Sequence, residues 1–338
     1  MTEFQPLRGP AYKNADLGVL SKELNDMLAD CRICPRACGV NRIRDQKGFC
    51  RVGRDAYVYS YFSHRGEEPP ISGTKGSGTI FFSGCNMRCV YCQNYKFSQM
   101  NSPAGDLPGK ALSAGELAEI MLELQAQGCH NINLVTPGHV LPQIIAGLVI
   151  ASGRGLNIPL VYNTGAYESP ETIRLLEKAV DIYLVDMHYA AEENAVKYSL
   201  APRYPEFNLS AVKEMCRQRP EAVFDAQGIM REGVIVRHLV LPEDISGTRE
   251  VLRRLSEAVS PEKVYLSLMS QYLPCNKSGN YRELARRISM EEYSAASDNL
   301  SVFGFSNGWV QEANGLPELA GPNIEQKFRD NSTEGNKG

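Results

Sequence analysis

The stretch TIFFSGCNMRCVYCQN, residues 79–94, joins a short β-rich run to a loop with three cysteines. Cys85, Cys89 and Cys92 follow one another as C-x3-C-x2-C, and no fourth cysteine lies close behind them. Such close spacing indicates a metal site, because a loop lets all three sulfurs converge. Structural metal sites usually close with four protein ligands, whereas catalytic sites keep one position open. The three-thiol loop therefore predicts a site with an open position.

The metal at this loop is predicted from the number of thiols. Iron–sulfur clusters are held by cysteine thiolates and normally take four, so three thiolates leave one iron open. The alternatives are a zinc site completed by a distant histidine and plain core cysteines without metal. The close spacing of Cys85, Cys89 and Cys92 favours the cluster over both alternatives.

A second group of cysteines lies upstream, and it is complete. Cys31, Cys34, Cys38 and Cys50 form C-x2-C-x3-C-x11-C. Four thiols suit a closed site, which is either structural zinc or an auxiliary [4Fe–4S] cluster. The spacing does not separate these two metals, since only one C-x2-C knuckle is present, and a metal-free segment is the third interpretation. The same segment contains four arginines that would offset thiolate charge: Arg32, Arg36, Arg42 and Arg44.

Composition limits the class of protein. The 338 residues are 43% hydrophobic and 22% charged, as is ordinary for a soluble globular protein. A net charge of −3 gives no reason to expect general nucleic-acid binding. The most apolar run, Ile144 to Ala151, is eight residues long and too short to cross a membrane. With a polar start unlike a secretory signal, a cytoplasmic protein is expected, whose ten cysteines favour metal over disulfides.

From about residue 79 onward, short β-rich runs alternate with helical stretches. The runs are apolar on both faces, as in a parallel sheet covered by helices. They are residues 79–83, 131–136, 159–163, 182–186, 233–241 and 264–269. This order predicts an α/β fold, a partial (β/α)6 barrel, with a doubly wound sheet as the alternative.

Three parts of the chain are expected. Residues 1–78 form a Cys-rich, loop-dominated N-terminal extension that contains the four-cysteine group. Residues 79–324 form the barrel core. Residues 325–338 are polar and expected to be disordered.

Polar residues follow the ends of the predicted strands. Thr136 and Pro137 follow the second run, Asn163 ends the third, Asp186 ends the fourth, and Arg237 lies in the fifth beside His238. Because the carboxyl ends of parallel strands meet at one edge, these side chains are expected to lie together with the three-cysteine loop. An active rim is therefore predicted at that edge.

The ordered series of motifs resembles the radical S-adenosylmethionine (SAM) superfamily and is most similar to the PflX-like relatives of pyruvate formate-lyase activating enzyme. The motifs are CxxCPRxCGVNR, EEPPISGTKGSGTIFFSGCNMRCVYCQN, INLVTPGH, YNTGAYES, VDIYLVDMHY, VRHLVLP and MSQYLP. The resemblance implies that the open iron of a [4Fe–4S] cluster binds the amino and carboxylate groups of SAM. One electron then cleaves SAM to methionine and a 5′-deoxyadenosyl radical, which abstracts hydrogen from a substrate.

The resemblance also implies partners. The electron would come from a reductant such as flavodoxin or ferredoxin. The substrate would be a glycyl radical enzyme that is activated at a backbone glycine, with a peptide or a small molecule as the alternative. A hypothesis from a different class is a non-catalytic metal-binding or electron-transfer protein, in which both cysteine groups are closed sites.

Residue roles are carried over from the same resemblance. Cys85, Cys89 and Cys92 would ligate the cluster, and Tyr91 would lie near the adenine. Other positions match residues that receive the SAM amino group, contact SAM or shape its pocket in relatives. In this sequence they are Thr136, Pro137, Asn163, Asp186 and Arg237. One departure concerns the Asp-x-Lys of activating enzymes, which here reads Asp186-Met187-His188. A histidine titrates near neutrality, so the lysine role does not carry over directly.

Overall fold

The structure is a computed structural model that describes residues 9–100 and 106–311. The predicted tail at 325–338 lies outside the described residues. The strands are β1 (Ala56–His64), β2 (Ser77–Phe82), β3 (Lys110–Leu112), β4 (Ile132–Val135), β5 (Leu160–Thr164), β6 (Ile182–Asp186), β7 (Val223–Phe224), β8 (Met230–Leu239), β9 (Tyr265–Met269) and β10 (Gly308–Val310). The helices are α1 (Leu17–Asp26), α2 (Pro69–Ser72), α3 (Tyr95–Ser98), α4 (Ala114–Ala126), α5 (Leu141–Gly153), α6 (Pro170–Leu175), α7 (Glu192–Ser199), α8 (Tyr204–Gln218), α9 (Thr248–Ala258) and α10 (Met290–Val302).

One mainly parallel sheet organises the chain. Its strand order is β10-β9-β8-β6-β5-β4-β2-β1-β3, with β7 paired to β8 outside this path. The strands from β2 to β10 along this path pair in parallel, whereas β1 is antiparallel to both β2 and β3. The six predicted strands are present as β2, β4, β5, β6, β8 and β9, and the predicted α/β fold class is confirmed.

The strand order favours a partial barrel over a doubly wound sheet. Doubly wound sheets reverse their strand order at a switch point, where ligands bind. Here the parallel strands follow one another from β2 to β10 without a reversal. A sheet wound in one direction, with helices on its outer face, has the connectivity of an open β/α barrel.

Strand β1 lies within the segment that was expected to be dominated by loops. It spans nine residues and pairs Tyr61 with Ile80 of β2. Its sequence AYVYSYFSH contains three tyrosines, a phenylalanine and a valine, residue types that are enriched in strands and could have predicted it. The loop-dominated part therefore ends near residue 55, while the proposed domain boundary at residue 78 stays a prediction.

The helix ends follow the predicted signals. Helix α4 begins with a capping box, in which the side chain of Ser113 accepts from the Glu116 N–H and the Glu116 side chain reaches back. Gly128 follows the end of the helix with φ +87°, a left-handed conformation that suits glycine. Ser169 caps α6 by accepting from the Thr172 N–H. No helix among residues 9–100 and 106–311 is both long and apolar enough to span a bilayer.

One face of the central strands changes character along its length. Val161 of β5, Leu184 of β6 and Ile235 of β8 belong to a small buried apolar cluster. Because side chains alternate along a strand, the residues two positions further on lie on the same face. Those residues include Asn163 and Arg237, so the face is apolar near the middle of the sheet and polar at its carboxyl end.

Candidate active site at the carboxyl ends of the strands

Arg237 is the centre of the polar cluster on this face. Register places it opposite Asp186 on the neighbouring strand. Its Nε donates to Asp186 Oδ1 at 2.6 Å, and its Nη2 donates to Asn163 Oδ1 at 2.7 Å. The side chains of Arg237 and Asp186 are each 16% exposed. Three of the predicted SAM-site residues thus meet in one partly buried hydrogen-bonded group.

Two further carboxylates complete this cluster, and the sequence analysis assigned them no role. Glu67 Oε2 lies 3.4 Å from Nη1 of Arg237, and Glu68 Oε2 lies 3.9 Å from the same nitrogen. Burial raises the pKa of Glu68 to about 7, against the opposing effect of Arg237. With Asp186, three carboxyl groups face one guanidinium. In the sequence, these two carboxylates are the acidic pair that precedes Pro69 and Pro70 in the EEPP motif.

Thr136 and Pro137 connect β4 to this edge. The N–H of Thr136 donates to the main-chain oxygen of Asn163 at 2.8 Å. Thr136 has φ +57°, which is uncommon for a β-branched residue and stores backbone strain. Pro137 follows directly and is buried. Both residues lie at the polar edge, and their role toward SAM stays a prediction.

The three-cysteine loop leaves β2 at the same edge, and each of its sulfurs has a polar neighbour. The main-chain N–H of Met87 donates to Cys85 Sγ at 3.3 Å. The hydroxyl of Ser199 donates to Cys89 Sγ at 3.1 Å, and the hydroxyl of Ser98 lies 3.3 Å from Cys92 Sγ. Donors aimed at sulfur suit thiolates that carry negative charge.

These cysteines are partly buried, and their thiols are not arranged around a single point. Burial raises the pKa of the Cys85 thiol to about 12, so a cation such as iron is needed to hold it as a thiolate. Within residues 9–100 and 106–311, no three histidine, cysteine or acidic side chains are arranged to hold one metal ion. An iron–sulfur cluster is larger than an ion and separates its ligands more widely.

Tyr91 lies inside an aromatic cluster behind the loop. Its ring packs edge-on against Tyr189 and Tyr272, with centroids 6.4 and 5.9 Å away. Its hydroxyl donates to the Tyr189 hydroxyl at 2.7 Å, which in turn lies 2.7 Å from Ser199 Oγ. The predicted contact of Tyr91 with adenine stays a prediction.

His188 stands where activating enzymes have lysine, and it lies beside the three-cysteine loop. Its ring stacks on Tyr204 with centroids 5.9 Å apart. A methyl group built on Gly165 would be 3.3 Å from His188 Nε2 and 3.5 Å from Met87 Sδ, so both side chains border that glycine. Burial lowers the pKa of His188 below its ordinary value, and Asp186 opposes this effect. The imidazole is therefore neutral near pH 7 and does not replace a lysine charge.

His238, predicted at the rim, is a buried structural residue. Its Nδ1 lies 2.7 Å from the main-chain oxygen of Met187, and its Nε2 lies 3.0 Å from Thr248 Oγ1. Burial lowers the pKa of His238 to about 4. A neutral imidazole that donates through Nδ1 and accepts through Nε2 satisfies both contacts.

The four upstream cysteines come together as well. Cys31, Cys34, Cys38 and Cys50 all line one cavity of about 20 Å³. Asn86, the residue after the first cysteine of the three-cysteine loop, lines the same cavity. The two cysteine groups are therefore neighbours in space.

Comparison with known proteins identifies the family. The family model of the radical SAM superfamily matches residues 79–254. The chain belongs to the radical SAM superfamily. The matched segment begins with β2 and the three-cysteine loop and ends in α9, so it contains Asn163, Asp186 and Arg237.

Two relatives and one solved structure are similar to this chain. The uncharacterized protein MJ0674 of Methanocaldococcus jannaschii is 30% identical over 274 residues, which cover 80% of this chain and 74% of the relative. The uncharacterized protein MJ0808 of the same organism is 26% identical over 120 residues, or 32% of this chain and 35% of the relative. The crystal structure of methylornithine synthase (PylB) is 18% identical, with a TM-score of 0.45, over 67% of this chain and 60% of that chain.

Membership in the superfamily implies a [4Fe–4S] cluster and SAM, and the residues present fit both. Sulfurs that accept hydrogen bonds from Met87 and Ser199 suit thiolate ligands with one position left open. The excess of carboxylates around Arg237 suits a cation, and SAM carries a sulfonium and an ammonium group. Glu68 supports this fit, because its buried Oε2 has no hydrogen-bond partner within the described part of the chain.

Proposed function

We propose that this chain is an activating-enzyme-like radical SAM oxidoreductase of the PflX-like type. In this proposal, Cys85, Cys89 and Cys92 hold the [4Fe–4S] cluster. When bound, that cluster supplies the electron for reductive cleavage of SAM. The observation that carries the proposal is the position of the three-thiol loop, which leaves the first parallel strand at the edge where the buried Arg237 cluster lies.

Arg237 would act as an oriented cation in the SAM pocket. Its bonds to Asp186 and Asn163 fix the plane of the guanidinium, and a fixed fork suits a carboxylate or ribose oxygens. Glu67 and Glu68 place two further carboxyl groups beside Arg237, and the cationic part of SAM would favour their ionised form. Thr136 and Pro137 would receive the SAM amino group, and Tyr91 would support the adenine side from its aromatic cluster.

The proposed target is a protein glycine, in a glycyl radical enzyme. The support for this target is the ordered series of motifs shared with activating enzymes, and flavodoxin or ferredoxin would be the reductant. His188 in place of lysine is a neutral ring beside Met87 of the cysteine loop, so it is suited to contact a neutral group such as a peptide. Modification of another peptide or of a small molecule is the alternative target.

The catalytic step is tested without knowledge of the substrate. The protein is reconstituted anaerobically with iron and sulfide, and 5′-deoxyadenosine is measured after SAM and dithionite are added. We expect product from the wild type and none from Cys89→Ala, with Cys129→Ala, a cysteine outside both groups, as the matched control. A wild-type protein that holds its cluster and forms no 5′-deoxyadenosine would contradict the proposal and favour an electron-transfer protein.

The target is tested separately. A glycyl radical enzyme is added to the same reaction, and electron paramagnetic resonance (EPR) is used to look for a radical on its backbone glycine. A glycine-centred signal that depends on Cys89 supports the activase. If 5′-deoxyadenosine forms and no protein radical appears with any glycyl radical enzyme of the same organism, the activase target is wrong.

A further inference from the structure

The segment from Cys31 to Cys50 is folded so that its four thiols surround one space. The N–H of Cys31 donates to the main-chain oxygen of Val40, and the N–H of Gly39 donates back to Cys31, both at 3.0 Å. These bonds close the loop that contains Cys34 and Cys38. The cysteines of this loop and Cys50 line this cavity.

Two observations describe how the four thiols are arranged around the cavity. Structural zinc needs its four sulfurs about 2.3 Å from one point. The described part of the chain, which includes these cysteines, shows no group of three or more potential ligands arranged for a single ion. Gly48 helps to keep the space open, since a methyl group there would lie 2.9 Å from Cys38 Sγ. The thiols thus surround a space and do not converge on a point.

A buried arginine at the wall of the cavity indicates the sign of the charge that a bound group would carry. Arg42 is 1% exposed and lines the cavity. Its Nε donates to the main-chain oxygen of Gly53 at 2.9 Å, and its Nη1 lies 3.8 Å from Cys31 Sγ. Its Nη2 is buried without a hydrogen-bond partner among the described residues. A buried guanidinium is costly unless an anion faces it.

The other polar wall residues fit the same charge. Arg36 lines the cavity and is held by its Nε, which donates to the main-chain oxygen of Asn86 at 2.9 Å. His139 also lines the cavity, but its Nε2 lies 2.8 Å from the main-chain oxygen of Ser83 and donates there, so the neutral ring adds no donor for a guest. Two arginines around four thiols suit an anionic guest that takes hydrogen bonds at sulfur.

We propose that Cys31, Cys34, Cys38 and Cys50 hold a second [4Fe–4S] cluster, whose four irons are all ligated by thiolate. Arg42 and Arg36 offset its negative charge. Since no iron is left open, this cluster does not bind SAM. The proposal does not depend on the catalytic function, because its ligands and its cavity are separate from Cys85, Cys89 and Cys92.

The two cysteine groups are in direct contact through Gly84. This residue precedes Cys85, and a methyl group on it would lie 2.5 Å from the main-chain oxygen of Cys50. The second cluster therefore lies against the loop of the first. Cys38 is exposed, so the second cluster also borders solvent.

The decisive experiment removes the catalytic ligands and counts metal. The Cys85/Cys89/Cys92→Ala variant is reconstituted anaerobically, and its iron, sulfide and zinc are measured. We expect about four iron and about four sulfide per chain, and a reduced-cluster EPR signal that SAM does not change. One zinc and no iron would overturn the proposal in favour of structural zinc. A folded variant with no metal would overturn it in favour of a metal-free segment.

A reciprocal variant covers the case in which the triple variant does not fold. Cys31/Cys34/Cys38/Cys50→Ser is compared with the wild type, which is expected to hold about twice as much iron. Equal iron in the two proteins would contradict the proposal. The double variant Cys129→Ala/Cys216→Ala is the matched control and should keep the wild-type iron content. Failure of the wild type to form 5′-deoxyadenosine would concern the catalytic proposal only, because iron counts do not depend on turnover.

Discussion

The hydroxyl of Ser199 donates a hydrogen bond to the sulfur of Cys89 across 3.1 Å. Each hydroxyl has one hydrogen, so Tyr189 must donate to Ser199, and Tyr91 donates to Tyr189. The end of helix α7 is thereby connected to the three-cysteine loop by a directional chain of hydroxyls. This chain ends on a sulfur that we propose as a cluster ligand.

Ser199→Ala is expected to lower the reduction potential of the catalytic cluster. Hydrogen bonds to the ligand sulfurs stabilise the reduced, more negative state, and removing one lowers the potential by roughly tens of millivolts. EPR-monitored redox titration measures the midpoint. Ser256→Ala, on α9 and hydrogen-bonded to the main-chain oxygen of Arg253, is the control and should leave the midpoint unchanged. An unchanged midpoint in Ser199→Ala would contradict a hydrogen bond from Ser199 to a ligand of the cluster.

Arg237→Gln is expected to destabilise the protein by about 3 kcal/mol, because carboxylates at Asp186, Glu67 and Glu68 lose their buried cation. The affinity of the Arg237→Gln variant for SAM should also fall. Arg217→Gln is the matched control, since Arg217 pairs with Glu177 and Glu214 at the surface.

Urea unfolding measures the first effect and anaerobic equilibrium dialysis the second. The control should change the free energy of unfolding by about 0.5 kcal/mol or less. If Arg237→Gln unfolds like the control and binds SAM like the wild type, the cluster around Arg237 is neither a stabilising group nor a SAM site.

Acidification is expected to destabilise the protein through His238. Its pKa is about 4 in the folded state, below the ordinary value of 6.5, because the ring is buried. Between these two values the unfolded chain binds more protons than the folded chain, so stability falls as pH falls from 6.5 toward 4. One group contributes at most about 1.4 kcal/mol per pH unit.

The test compares wild type and His238→Gln in the same metal state. The variant lacks the titrating ring, so the wild type should lose stability relative to it on going from pH 7 to pH 5. Urea unfolding at both pH values measures the difference. A constant difference between the two proteins across this range would contradict the assignment of His238 as a neutral buried residue.

Gly84→Ala is expected to disturb both cysteine groups. The residue has φ +81°, and its added methyl group would meet the main-chain oxygen of Cys50 at 2.5 Å. Backbone cannot move aside as a flexible side chain can, so the two loops must separate. Iron content should fall, and the loss of stability should exceed that from backbone strain alone.

Gly155→Ala is the matched control for this change. Gly155 also has a left-handed conformation, φ +99°, but nothing lies within 4 Å of the added methyl group. This variant therefore reports backbone strain alone, about 1–2 kcal/mol, with full iron content. Equal stability and equal iron in Gly84→Ala and Gly155→Ala would contradict a required close approach of the two cysteine loops.

Local features of this protein were readable from the sequence. The six apolar runs became β2, β4, β5, β6, β8 and β9, and the capping box at Ser113 formed as expected. Each of these features depends on residues that are close together in the sequence, so one short stretch contains the whole pattern. Strand β1 was missed because the surrounding Cys, Gly and Arg residues obscured a β-rich run, and the run pairs antiparallel at the edge of the parallel sheet.

Long-range contacts were not readable in the same way. Glu67 and Arg237 are 170 positions apart in the chain, and Ser199 and Cys89 are 110 apart. No periodicity relates such residues, since their meeting depends on how the strands are ordered and in what register. The carboxylate excess at Arg237 and the hydroxyl chain to Cys89 therefore emerged only from the folded chain.

The sequence by itself determined the cysteine spacings, the strand and helix order, and the polar residues at the strand ends, because these are local patterns. Only the tertiary structure decided which residues surround one another. It placed Asn163, Asp186 and Arg237 in one hydrogen-bonded group, and it placed four thiols and the buried Arg42 around one cavity. The physical reason is that the burial of a side chain and the charge around it depend on neighbours from distant parts of the chain. The spacing of residues along the sequence does not specify those neighbours.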